Sequence, residues 1–176
     1  MKYVALLRGV NVGGITVKSA PLKALFVELG FREVRTILAS GNVVFADDGG
    51  EDHAMLKARI EAALGERFGY DARIVLIPHA AFADLAAAYP FPRAVEGRHA
   101  YVVFSSADDV LDRLEGEPVG SDAHDERIAR GDGVLYWDVQ KGSSLETPFA
   151  KALARKTYKP WVTTRNLNTV EKIAAM

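Results

Sequence analysis

The chain has 176 residues, 49% of them apolar, and its 26% charged residues nearly cancel to a net charge of −1. That length suits one ordinary domain or two compact halves, and the apolar content is ample for a core, which excludes a disordered chain. No apolar run approaches the ~18 residues of a membrane span, and the absence of cysteine removes disulfides, thiolate catalysis and sulfur-ligated metals together.

The elements repeat. Tyr3–Gly9 reads as a short buried strand, which Arg8 and Gly9 end too early for a signal peptide, so the cytoplasm is the expected compartment. Leu22, Leu25, Phe26 and Leu29 form a helical stripe, with Ser19 as N-cap, Pro21 in the first turn and Gly30 as the stop. Val34–Ala39, the turn Ser40-Gly41-Asn42 and Val43-Val44-Phe45 read as a hairpin. A second helix starts near Asp52, aligns Leu56, Ile60, Leu64 and Phe68, and ends at Gly69. Arg73–Ile77 is the fourth strand. His79–Tyr89 reads as helical and stops at Pro90-Phe91-Pro92, where two prolines impose an extended connection.

The same order then returns. His99–Ser105 is a strand, Asp108–Leu114 a short helix, and Glu126–Arg130, Gly131-Asp132-Gly133 and Val134–Val139 a second hairpin. A helix follows from about Thr147 to Lys156, with Thr147 as cap and Pro148 in the first helical position. Trp161–Thr164 is a strand and Thr169–Ala175 a closing helix. The order β-α-β-β-α-β, met twice, predicts an α+β protein of two ferredoxin-like halves with an extra C-terminal helix. The halves are placed at residues 1–78 and 98–176, with a helix and Pro-rich linker over 79–97.

Charge is unevenly spread. Met1–Ala46 carries 6 basic and 2 acidic residues, Ser105–Glu146 carries 4 and 11, and Thr147–Met176 carries 6 and 1. Two basic ends that converge on one surface make a positive patch that the net charge conceals.

Four segments are candidate sites. Arg8-Gly9-Val10-Asn11-Val12-Gly13-Gly14 is a glycine-rich loop between strand and helix, the setting in which backbone N–H groups approach a phosphate. It is not a nucleotide-binding P-loop, because Ile15-Thr16 stand where lysine and serine or threonine are required, and the dinucleotide fingerprint spacing fails as well. The alternative is a plain β–α connection. Thr163–Thr169 is dense in donors: Arg165 is suited to a phosphate or carboxylate and Asn166 to a polar edge, while Asn168 and Glu171 fit a capping box. Ser40 and Asn42 belong to a hairpin turn that makes ligand contacts if it faces the Arg8 loop; no nucleophile elbow surrounds the serine. Asp122, His124, Asp125 and Glu126 form an acidic cluster without metal-ligand spacing, read as a solvated face. His53, His79 and His99 lie isolated at element ends. Trp137, Tyr136 and Trp161 are read as packing residues.

Leu7–Gly14, Gly30-Phe31, Arg35-Thr36 and Ser40–Phe45, followed by Thr164–Val170, resemble the family called domain of unknown function 1697, over essentially the whole chain. The resemblance implies a small bacterial protein of two ferredoxin-like halves and implies no activity. Ile15 stands where relatives often have lysine, and Leu167 where an aromatic is common.

The expected function is a non-catalytic binding module for a phosphate-bearing ligand, with nucleic acid preferred over a nucleotide. Arg8, Lys18 and Arg165 are the expected phosphate contacts, with Asn11, Asn42 and Asn166 as hydrogen-bonding partners and Gly13, Gly14 and Ser40 lining the same surface. No cofactor, metal or membrane is expected, and no protein partner is indicated. Two alternatives remain at this level: an enzyme acting on a small anionic substrate at the same cleft, and an assembly module.

Overall fold

The computed structural model describes residues 1–11, 15–37, 41–120 and 126–176. Their order is β1 (Lys2–Leu7), α1 (Ser19–Glu28), β2 (Arg32–Ile37), β3 (Asn42–Ala46), α2 (His53–Phe68), β4 (Ile74–Pro78), α3 (His79–Ala87), β5 (Arg98–Ser105), α4 (Asp108–Glu115), β6 (Glu126–Arg130), β7 (Val134–Gln140), α5 (Pro148–Leu153), β8 (Val162–Asn166) and α6 (Leu167–Ala174). Two four-stranded antiparallel sheets result, ordered β2-β3-β1-β4 and β6-β7-β5-β8. Substituting each strand by its counterpart four places on turns one order into the other, so the fold is α+β and internally duplicated.

The chain divides into two compact units, Met1–Ala83 with Ile173–Met176, and Asp84–Lys172. In the first, β1 is central. Its alternation sends Tyr3, Ala5 and Leu7 into a core shared with Leu22, Leu25 and Phe26 of α1 and Leu56, Ile60 and Leu64 of α2. Both helices therefore bury the stripe that their periodicity predicts. Phe31 and Phe45 sit 4.4 Å apart between ring centroids, and the Arg59 guanidinium lies 4.9 Å from the Phe31 ring. In the second unit Val103, Leu135, Trp137 and Val139 pack beneath Val110, Leu111 and Leu114 of α4 and Phe149 of α5.

Local signals set most element ends. Asp52 accepts from the Ala54 N–H at the start of α2, and Gly69 closes that helix in the left-handed region at φ 68°. Thr147 caps α5 through the Ala150 N–H, with Pro148 in the first turn. Ends differ from the sequence reading in several places, three of which have a visible side-chain or backbone cause. Ser19 is already helical, and Lys18 holds the cap position of α1 with no side-chain bond, because its long chain has no acceptor to offer. The cap of α6 is Asn166, whose Oδ1 accepts from the Asn168 N–H at 2.9 Å, while Glu171 pairs with Arg93 instead of reaching back. β2 starts at Arg32 and carries a register irregularity between Arg32 and Arg35, where Glu33 adopts φ 51°.

Three side chains read as solvent-facing or idle are structural. Glu126 is 1% exposed, not part of a solvated face. Its Oε1 accepts from the N–H groups of Gly120 (2.9 Å) and Phe149 (3.0 Å), and its Oε2 from Trp137 Nε1 (3.0 Å). Asp122, His124 and Asp125 lie outside the described residues. His53 and His79 each donate from Nε2 at 3.1 Å, to the carbonyls of Leu76 and Ile173. Trp137 and Tyr136 are buried, as packing residues should be. Among the described residues, no helix is long and apolar enough to cross a membrane.

Candidate functional site

The loop that follows β1 is held from three sides. On one flank the Leu7 N–H donates to the Gly41 carbonyl at 2.8 Å; on the other the Arg8 N–H donates to the Arg73 carbonyl at 3.1 Å. The third hold is Asn11, which stands at φ 58°. Its backbone N–H donates to the Ile15 carbonyl (2.6 Å), Nδ2 donates to the Val17 carbonyl (3.1 Å), and Oδ1 accepts from the Val17 N–H (2.9 Å). An asparagine closing a loop on both backbone groups of one residue tolerates positive φ and satisfies backbone that no sheet or helix serves. Gly13 and Gly14 lie outside the described residues.

Gly41 joins the two motif segments of the first unit. It stands at φ 75°, and a Cβ placed there lies 2.8 Å from both Leu7 Cβ and Val10 Cγ2. Only glycine permits that approach. Asn42 beside it is buried, and its Nδ2 donates to the Ile37 carbonyl at 2.9 Å. Ser40 is outside the described residues. The sequence-predicted contacts Asn11 and Asn42 thus hold the loop and the turn in shape, with part of their amide capacity committed to backbone.

Positive charge gathers at this end of the sheet. Arg8 is half-buried, and burial first, then Arg73, pulls its guanidinium below the ordinary arginine value, with Asp71 opposing. Arg73 approaches Asp71 at 3.5 Å. Lys18 is exposed at the start of α1, whose first turn contains no acidic residue. Arg73 escaped the sequence reading, although the topology contains the signal. β4 runs antiparallel to β1 with Leu7 opposite Ile74, so the residue before β4 must fall beside the residue after β1. Two guanidinium groups beside the backbone that follows β1 form a setting whose chemistry suits an anion.

Arg165 and Asn166 belong to the second unit. Arg165 is 6% exposed, and its Nη1 donates to Thr163 Oγ1 (2.5 Å) and to the Thr164 carbonyl (3.2 Å). Burial lowers its pKa to about 10. Asn166 is committed through Oδ1 to capping α6. Among the described residues there is no group of three or more histidine, aspartate or glutamate side chains arranged to hold a metal ion.

Comparison with known proteins adds the following. The model of the family described as Protein of unknown function (DUF1697) matches residues 1–136. A structure of a conserved bacterial protein from Streptococcus pneumoniae superposes with a TM-score of 0.80 at 23% identity, covering 99% of this chain and 97% of that one; at that identity it bears on fold alone. A crystal structure of an unknown protein from Galdieria sulphuraria reaches a TM-score of 0.28 at 10% identity over 94% of this chain and 95% of that one, and carries no argument. No curated protein matches.

Proposed function

The chain belongs to the DUF1697 family of proteins of unknown function, and on that footing we propose that it is a non-catalytic binding module for a phosphate-bearing ligand, with nucleic acid preferred. The observation that carries the reading is the pairing of Arg8 with Arg73 at the end of β1, where a backbone hydrogen bond fixes two like charges side by side. Arg73 lowers the Arg8 pKa more than Asp71 raises it, so a phosphate that approaches Arg8 meets a net positive field. Phosphate contacts by arginine and by an exposed helix start are sequence-independent, which favours backbone binding over base readout. Lys18 is the third expected phosphate contact in this unit. Arg165, with its guanidinium turned to Thr163 and Thr164, is proposed to support the β8–α6 junction next to any ligand surface of its own unit.

Fluorescence anisotropy with short labelled single- and double-stranded RNA and DNA tests this. Binding is expected to weaken steeply as salt rises, and Arg8→Ala and Arg73→Ala are each expected to lower the salt slope by about 1. The reading is overturned if no nucleic acid binds at low salt, or if both variants bind as the parent chain does.

A further inference from the structure

We infer that the second unit holds a separate site for a small oxyanion, a carboxylate or phosphate group, framed by the Tyr89 hydroxyl and the guanidinium groups of Arg93, Arg98 and Arg127. The framework begins with strand register. Arg127 of β6 stands opposite Asp138 of β7, and Arg98 of β5 lies on the diagonal, two residues from the Ala100 that faces Asp138. Asp138 is 3% exposed. Its carboxylate accepts from Arg98 Nε (2.9 and 3.0 Å) and from Arg127 Nε (2.7 Å). One buried carboxylate therefore orients two arginines, and the terminal nitrogens of Arg127 make no hydrogen bond to it. The Arg127 side chain remains 41% exposed, and its guanidinium lies 4.6 Å from the Phe91 ring.

Tyr89 supplies the second, independent observation. It is 6% exposed, and its hydroxyl is buried without any hydrogen-bond partner. A buried hydroxyl left unpaired is unfavourable and calls for something that completes it. Its ring meets Phe91 and Tyr136 edge to face, each 5.6 Å away between centroids. Arg93 lies 5.8 Å from the Tyr89 ring, bonds Glu171 and donates to the carbonyls of Ala86 and Ala87. The groups named amount to three guanidinium groups against the two carboxylates of Asp138 and Glu171. A water molecule would satisfy the hydroxyl but not that excess of positive charge; an oxyanion satisfies both. Burial, then Asp138, holds the Tyr89 hydroxyl up at about 12, so it stays protonated and donates at neutral pH.

The test is thermal unfolding of the full chain in sodium phosphate, sodium acetate and sodium chloride at matched ionic strength. A ligand that binds the folded state raises the midpoint by mass action. The midpoint is expected to rise by several degrees in at least one oxyanion relative to chloride. A rise in phosphate alone identifies a phosphoryl group, and a rise in acetate identifies a carboxylate. The rise is expected to vanish in Tyr89→Phe and in Arg127→Gln, and to persist in Arg8→Ala. Tyr89→Phe removes only an unpaired oxygen, so it is expected to unfold in chloride no earlier than the parent and to keep its nucleic-acid binding; it decides the matter should Arg127→Gln fail to fold. An oxyanion shift that survives Tyr89→Phe, one that disappears in Arg8→Ala, or no shift beyond chloride overturns the inference.

Discussion

Glu126 shows how much a single side chain fixes. Its carboxylate receives three N–H donors from residues before β6, in β7 and at the start of α5. Glutamine there presents an amide N–H₂ to at least one of those donors. Glu126→Gln is therefore expected to lower unfolding free energy in urea by about 3 kcal/mol, and a loss under 0.5 kcal/mol, as for an ordinary surface change, would refute the role. Gly41 and Gly69 make a matched pair. Both sit at positive φ, but a Cβ on Gly41 meets Leu7 and Val10 at 2.8 Å while one on Gly69 meets nothing within 4 Å. Alanine at Gly69 is expected to cost about 1–2 kcal/mol for the left-handed backbone, and at Gly41 about 1–3 kcal/mol more for the overlap; equal losses would show that the turn relaxes freely. The tyrosines set the alkaline limit. Burial, aided by Glu61 for Tyr70 and Asp138 for Tyr89, raises both hydroxyls from 10 to about 12. The unfolded chain releases those protons first, so their contribution is complete below pH 10 and is lost as pH climbs toward 12. Urea midpoints should fall across that window, and less steeply in the Tyr70→Phe, Tyr89→Phe double variant; an unchanged slope would contradict the assignment.

At the scale of elements, helix starts offer a clean comparison. Thr147 accepts from the Ala150 N–H and Asn166 from the Asn168 N–H, whereas Lys18 gives α1 no side-chain cap. Thr147→Ala and Asn166→Ala should each cost about 1 kcal/mol, and Lys18→Ala should leave stability within about 0.5 kcal/mol by the same denaturation assay. The Thr147 cap and the ends of α2 were legible because each is written in neighbouring residues. Asn166 was misassigned because Asn168 and Glu171 satisfy the same local pattern two residues on, and only the chain path through β8 selects between them. Arg73 was missed for a different reason. Its approach to Arg8 spans more than sixty positions and follows from strand pairing, which no window of sequence contains. Glu126 reads as solvated in the sequence because its acidic neighbours dominate the local composition, while its donors come from three separate stretches of chain.

For the whole molecule, the duplication was readable because each unit repeats hydrophobic spacing, hairpin and helix ends in one order, and those signals are local. What the repeat does not contain is the membership of Ile173–Met176 in the first unit. Ile173 is fully buried, its carbonyl accepts from His79 Nε2, and the Met176 carbonyl accepts from Lys2 Nζ at 2.7 Å. Deleting residues 173–176 should raise hydrogen exchange in β1 and β4, and unchanged protection there would show that these ties are dispensable. The first unit is therefore discontinuous in the gene's reading direction. During translation Met1–Ala83 leaves the ribosome early yet stays unfinished, with β1 and α3 awaiting acceptors that are polymerised only after the second unit. The portion made first is the last to be completed, and its nascent form is the stage at which chaperone capture and proteolysis have most opportunity.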